Sequence, residues 1–105
     1  MEQINGWSCL KINNFAICSL QKTYNISTTQ QNGYGNTITY GKSSVTETTP
    51  YTFQSGAVSA GFDGRDGFTL YSSLASNSIT AGLALANFTA NTIRMTWIIA
   101  GIILE

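Results

Sequence analysis

The sequence predicts an all-β protein, an antiparallel β-sandwich (jelly-roll-like) with seven to nine short strands. Short β-favouring runs alternate with turn signals rich in Gly, Asn, Ser and Asp about every ten residues. We find no run that combines the period, the capping residues and the length of a helix. The 105 residues are enough for one domain, and no linker or internal repeat divides them.

The last strand, predicted within 92–104, has the most informative pattern. Up to Trp97, apolar residues alternate with Arg94 and Thr96, as in a strand with one solvated face. From Ile98 onward both faces are apolar, so both faces need a cover. We expect the core of the same chain to cover one face and a second copy of the chain to cover the other. The residues that we place at this oligomer interface are Trp7, Ile98, Ala100 and Ile102.

Two runs near the N-terminus, 7–12 and 15–24, predict a hairpin closed by Asn13-Asn14, because Asn tolerates the positive φ of a two-residue turn. In this register the numbers of paired residues add up to 27, so Cys9 faces Cys18. Such a pair is close enough for a strained disulfide. Since nothing in the sequence indicates an oxidising compartment, we interpret the cysteines as buried thiols.

Other elements follow from local composition. Further strands are expected at 24–29, 37–40, 45–49, 51–53, 57–62, 68–73 and 78–85. Loops or turns are expected at 30–36, 41–44 and 87–91, and Pro50 interrupts one strand. The segment Asp-Gly-Arg-Asp-Gly at 63–67 is the clearest turn, and we expect it to close a hairpin between its flanking strands.

The composition excludes several functional classes. The net charge is zero and charged residues make up 10%, against about a quarter in a typical soluble domain. The basic residues are scattered singly, so we expect no binding to nucleic acid or to an anionic membrane. The apolar run at 98–104 is much shorter than the roughly 20 residues that span a bilayer, and the N-terminus does not resemble a signal peptide.

Catalytic chemistry has little support in this sequence. The chain has no His, which removes the commonest general base and metal ligand. Asp63 and Asp66 offer oxygen atoms that suit calcium, but Arg65 between them opposes a cation, and we interpret the segment as a solvated turn. We therefore predict no enzyme activity, no catalytic residue, no metal site and no cofactor.

Tyrosines near loops are the remaining candidates for ligand binding. Their rings offer a flat apolar face and a hydroxyl group, which suit sugars and protein partners alike. Tyr34 lies between two glycines and is expected to be exposed. For Tyr40 and Tyr51, the alternative to ligand binding is that their side chains fill the core of the sandwich. The candidate ligand-binding residues are Tyr34, Tyr40, Tyr51, Asp63, Arg65 and Asp66.

Three features together suggest a family. Trp7 precedes the Asn13-Asn14 turn, with Cys18 four residues after it; the segment at 50–53 reads Pro-Tyr-Thr-Phe; and the last strand is apolar with a late Gly101. In these features the chain resembles the small C-terminal β domains of phage tail fibre, baseplate and receptor-binding proteins.

The resemblance implies a homotrimeric knob at the C-terminal end of a longer fibre protein. Such a knob is made in the cytoplasm of the bacterial host, is carried on the virion, and binds a polysaccharide or protein of the host surface. The resemblance carries over no catalytic residue. Two other functions stay open: a monomeric carbohydrate-binding module of a secreted bacterial protein with an oxidised cysteine pair, and a capsid or tail decoration protein without a ligand.

Overall fold

The computed structural model describes residues 1–33, 38–64, 66–86 and 91–104. These ranges contain no helix, and therefore none long enough to cross a membrane. The strands that they contain are β1 (Glu2–Ile4), β2 (Trp7–Ile12), β3 (Phe15–Ile26), β4 (Thr29–Gly33), β5 (Ile38–Thr48), β6 (Phe53–Asp63), β7 (Gly67–Leu74), β8 (Ser78–Leu85) and β9 (Asn91–Ile103).

The strands form two antiparallel sheets packed face to face, which confirms the predicted β-sandwich. The five-stranded sheet has the order β1-β2-β3-β9-β6, and the four-stranded sheet has the order β4-β5-β8-β7. The last strand, β9, lies inside the larger sheet between β3 and β6. The chain changes sheet after β3, β5, β6 and β8, so the core between the sheets is built from every part of the sequence.

β9 has one buried face and one open face, as its alternating and then continuously apolar sequence predicts. Ile93, Met95 and Ile99 point into the sandwich and are almost completely buried. Ile98 lies on the opposite face, where it is 44% exposed, and no other part of the described chain covers it. The chain therefore hides one face of its last strand and leaves the other open.

The hairpin of β2 and β3 has the predicted register: Cys9 pairs with Cys18 and Leu10 with Ile17. Asn13 has the positive φ of 55° that the tight turn requires. Both cysteines are free and buried inside the sandwich, and burial raises the pKa of the Cys18 thiol to about 12. Leu10 and Ile17 lie on the outer face of the sheet.

A second hairpin joins β1 and β2, and the sequence analysis did not identify it. Asn5 and Gly6 close it with φ values of 50° and 88°, and Ile4 pairs with Trp7 on either side. These values are those of a two-residue turn with positive φ at both positions, for which Asn-Gly is the preferred sequence. The hairpin adds an edge strand to the larger sheet.

Local turn signals were misleading at 41–44. The prediction of a turn there is wrong, because Gly41 and Ser43 continue β5 and pair with Leu85 and Leu83 of β8. The loop predicted at 30–36 is wrong up to Gly33, which ends β4; its remainder lies outside the described residues. The turn predicted at 87–91 also lies outside them, except for Asn91 at the start of β9.

The segment 63–67 does contain a turn, and Gly64 has a φ of 95°. The prediction of a hairpin there is wrong, since β6 pairs with β9 whereas β7 pairs with β8 in the other sheet. The turn is thus a connection between the two layers. A turn sequence shows that the chain reverses, but it does not show which partner each strand finds.

Both tryptophans are completely buried in the core. The Nε1 of Trp7 donates a hydrogen bond to the Thr48 carbonyl oxygen, 3.0 Å away, and the Nε1 of Trp97 donates to the Tyr24 hydroxyl, also at 3.0 Å. A buried indole N–H group needs a hydrogen-bond acceptor, and each of these two bonds provides one. The predicted place of Trp7 at an oligomer interface is therefore wrong for its side chain, which its own chain encloses.

Candidate functional site: the outer face of the five-stranded sheet

The outer face of the five-stranded sheet is divided along the strands into an apolar half and a polar half. Adjacent residues of β2, β3, β9 and β6 form rows across this face. We call the following residues the apolar half: Leu10, Ile12, Phe15, Ile17, Ala57, Ile98, Ala100 and Ile102. Three of them, Ile98, Ala100 and Ile102 on β9, are residues that the sequence predicts at an oligomer interface.

The large side chains of the apolar half are unusually open to solvent. Leu10, Ile12, Phe15 and Ile17 are between 38% and 61% exposed, and Ala100 and Ile102 are partly exposed. Single exposed apolar residues are normal on a soluble protein, but a contiguous group of this kind marks an interaction surface. Here the group extends over four strands, which is about 14 Å at the usual strand spacing.

Serines border the apolar half, and its rows contain no charged residue. Ser8, Ser19 and Ser59 form one row with Ile98, and Ser55 ends the row of Ile102. A partner that packs against this half would therefore bury no charge. The serine hydroxyls at the border can stay hydrogen-bonded to water or form hydrogen bonds across an interface, so that covering this surface costs little free energy.

The polar half begins beyond Ile98. Gln21 donates to Thr96 at 3.3 Å, and Thr92 donates to Asn25 at 2.8 Å, so hydrogen bonds between side chains join neighbouring strands. This half follows the alternation that is usual for a solvated sheet face. The contrast between the two halves shows that the exposed apolar residues are confined to one end of the face.

The middle row of the polar half, which contains Thr23, Arg94 and Asp63, has an ion pair. Arg94 donates two hydrogen bonds to the Asp63 carboxylate, at 3.1 and 2.7 Å, and these bonds lower the pKa of Asp63. Both side chains are more than half exposed, so the pair contributes little to stability. Together with Thr23, Gly64 and Thr92, the pair borders a shallow depression of about 530 Å³.

The predicted ligand-binding tyrosines have different surroundings. The Tyr51 hydroxyl donates to the Glu2 carboxylate at 2.6 Å, and this bond raises the pKa of Tyr51. Its ring contacts Phe53 edge to face, with the centroids 6.3 Å apart, and Lys11 Nζ lies 5.8 Å from its centroid. Tyr51 thus links β1 to the segment before β6, and Tyr40 is partly buried.

The structure does not bring the predicted ligand-binding residues into one site. Tyr51 precedes β6 and Asp63 ends it, so they are separated by the length of that strand, about 35 Å. Asp66 is exposed and lies at the turn of 63–67. Tyr40 lies at the same end of the molecule, because its neighbour Gly41 and the neighbour of Asp66, Gly67, both pair with Leu85. Tyr34 and Arg65 lie outside the described residues.

A polar cluster of β3 and β5 joins the two sheets at one side of the sandwich. The Tyr24 hydroxyl donates to Glu47 Oε1 at 2.6 Å, and Lys22 Nζ lies 3.1 Å from the same oxygen. Burial alone would raise the pKa of Glu47, but the bonds from Tyr24 and Lys22 lower it. Burial and the bond to Glu47 raise the pKa of Tyr24. This arrangement satisfies the polar groups and serves packing.

From the first hairpin, the sequence prediction placed Trp7 at the interface and missed Leu10 and Ile17. The alternation of 7–12 and 15–24 shows two apolar faces, but it does not show which one points inward. The structure buries the face that contains Trp7, Cys9 and Cys18, and it exposes the face with Leu10 and Ile17. The signal was present in the sequence, because both faces were too apolar for a hairpin with one solvated side.

No family model, no curated protein and no solved structure significantly matches the chain. Within the described ranges, no group of three or more His, Cys, Asp or Glu side chains is arranged to hold a metal ion.

Proposed function

We propose that the protein is a structural domain of a phage virion, which assembles as a homotrimer and attaches a fibre or baseplate tip to a polysaccharide or protein of the host surface. The observation that carries this proposal is the apolar half of the five-stranded sheet. The proposal assigns no catalytic residue.

The chemistry of the apolar half favours a second copy of the chain as its partner. Burying the exposed half of one of these Leu or Ile side chains stabilises an assembly by about 1 kcal/mol, and here several lie side by side on a sheet. No charge has to be buried with them. Three copies around one axis would bury equivalent patches together and close the assembly.

The shape of the chain supports a place in a fibre. Its Cα atoms extend over 49 × 24 × 15 Å, with a radius of gyration of 15.2 Å. A compact chain of this length would have a radius of gyration of about 13 Å. The long axis is comparable with the length of β9, whose 13 residues extend over about 43 Å. Copies that pack through their sheet faces, with strands aligned, would form an elongated bundle.

The phage assignment has separate support. It comes from the likeness of four features to the small C-terminal domains of phage fibre and baseplate proteins: Trp7 before a tight turn at 13–14, Cys18 after that turn, the segment at 50–53, and the apolar last strand with Gly101. A surface of uncharged polar residues also suits a particle that meets polysaccharides outside the cell.

Two substitutions in the apolar half test the assembly. We expect Ile98→Asp and Ile102→Asp to lower the mass in solution towards that of one chain, because an unpaired charge buried between copies costs several kcal/mol. Ile98 is half-exposed in the single chain, so an Asp there is compatible with the fold. Sedimentation velocity measures the mass, and circular dichroism verifies that the variants keep their strands.

Thr96→Asp is the matched control, since it places the same charge on the same face of β9 but in the polar half, about 20 Å from Ile102. This variant is expected to keep the mass of the native assembly. If Ile98→Asp and Ile102→Asp also kept the native mass and melting temperature, the apolar half would not be the interface, and the proposal would be wrong.

A further inference from the structure

The outer face of the four-stranded sheet carries two exposed aromatic residues that the sequence analysis did not select. Phe68 is 64% exposed and Tyr71 is 51% exposed. They lie in neighbouring rows: Phe68 pairs with Ala84, and Tyr71 pairs with Gly82. Since Gly82 also pairs with Ser44, the second row extends across the sheet as Tyr71, Gly82 and Ser44.

The Tyr71 ring lies across Gly82. A Cβ added to Gly82 would overlap the ring at Cε1 and would lie 2.6 and 2.7 Å from Cδ1 and Cζ. Distances this short to both neighbours of Cε1 place the added atom over the face of the ring, because an atom in the ring plane beyond Cε1 would lie farther from both. One face of the ring therefore rests on the glycine backbone. Because Tyr71 is half-exposed, its opposite face is open to solvent.

An irregularity in β7 is what brings Tyr71 to this position. The register shifts between Thr69 and Tyr71, so that Leu70 is an additional residue and Tyr71 stands opposite Gly82. Without the extra residue, Leu70 would be opposite Gly82. Bulges often redirect a side chain towards a binding site. Next to the bulge, the buried Thr69 Oγ1 has no hydrogen-bond partner among the described residues.

The surroundings of the ring are rich in hydroxyl groups. Ser44 shares its row, and the next row contains Thr46, Thr80 and Ser73, where the Thr46 and Thr80 hydroxyls are 3.0 Å apart. The neighbouring row on the other side contains Lys42. These rows contain no acidic side chain. An exposed aromatic ring with hydroxyl groups around it differs from the apolar half, where most of the exposed side chains are aliphatic.

This combination fits a sugar. One face of a pyranose ring presents C–H groups that pack flat on an aromatic ring, and its hydroxyl groups point sideways to polar neighbours. We propose that Tyr71, with Phe68 beside it, is a stacking platform for a pyranose ring of a host-surface polysaccharide, and that Ser44 and Thr46 bond the sugar hydroxyls. The inference rests on the proposed attachment role, but it does not depend on the number of copies in the assembly.

The test uses the full chain on an array of bacterial capsular polysaccharides and lipopolysaccharide O-chains. We expect the native chain to bind at least one of them, and Tyr71→Ala to weaken that binding about tenfold or more through the lost stacking contact. Tyr71→Phe keeps the ring and is expected to keep most of the binding. Gly82→Ala keeps the tyrosine but displaces its ring, and it is expected to weaken binding as well.

Three outcomes would overturn the inference. They are a native chain that binds nothing on the array, a Tyr71→Ala variant that binds as well as the native chain, and a Tyr71→Ala variant whose assembly has a lower mass. The last result would mean that this face is an interface between copies. Because the mass of the native chain is measured separately, each of these results leaves the proposed assembly through the apolar half open to its own test.

Discussion

At the scale of single residues, Glu47 joins the two sheets through its charge. It accepts a hydrogen bond from Tyr24 and forms an ion pair with Lys22, both on the opposite sheet. We expect Glu47→Gln to lower the free energy of unfolding by about 1.5–3 kcal/mol at pH 7, since the bond to a charged acceptor is lost. Urea unfolding measures this change. Asp66→Asn removes an exposed carboxylate and serves as the control, with an expected change below about 0.5 kcal/mol.

The ionisation of Glu47 also predicts how the stability of the fold depends on pH. The pKa of Glu47 in the folded chain lies below its usual value of 4.5, so its stabilisation is complete above pH 4.5 and is lost as the pH falls through the folded-state pKa. The difference in stability between the native chain and Glu47→Gln should therefore shrink on acidification. A constant difference down to the acid limit of folding would contradict the assigned ionic role.

At the scale of elements, the β1–β2 hairpin depends on the conformation of Gly6. Its φ of 88° is one that other residues rarely adopt, whereas Gly61 in β6 has open space around it and no such φ. We expect Gly6→Ala to destabilise the fold by about 1–3 kcal/mol, because the added Cβ opposes this conformation. Gly61→Ala is expected to be neutral or to stabilise by about 0.5–1 kcal/mol. Thermal unfolding of both variants compares them, and equal effects would contradict the assigned turn.

The elements also show what a sequence can predict here. The register of β2 and β3 follows from a two-residue turn, since such a turn allows little freedom, and β8 has its predicted bounds of Ser78–Leu85. The failures concern partners that are distant in sequence. Gly41 belongs to a strand because β8 pairs with it, and the turn after Asp63 joins two sheets. Local signals do not contain this information.

The candidate site was predictable only in part, for a related reason. Ile98, Ala100 and Ile102 could be placed on an open face because β9 changes from alternating to continuously apolar. Trp7 was misplaced, since a large aromatic residue fits a core and an interface equally well. Tyr71 was missed because its exposure depends on the bulge at Leu70, which is visible only in the pairing with β8.

At the scale of the whole molecule, the two broad outer faces of the sandwich have different chemistry. The five-stranded sheet offers apolar, mostly aliphatic side chains and no charge at one end, and the four-stranded sheet offers two exposed aromatic residues among hydroxyl groups. An elongated chain with these faces can associate with copies through one sheet and keep the other free for a ligand. This division of roles would suit the attachment role that we propose.

The mass of the native chain in solution tests this account most directly. Sedimentation equilibrium at micromolar concentration should give about 34 kDa, three times the 11.3 kDa of one chain. A stable single species of 11.3 kDa would contradict it, because the apolar half would then stay open to water without a second copy to cover it.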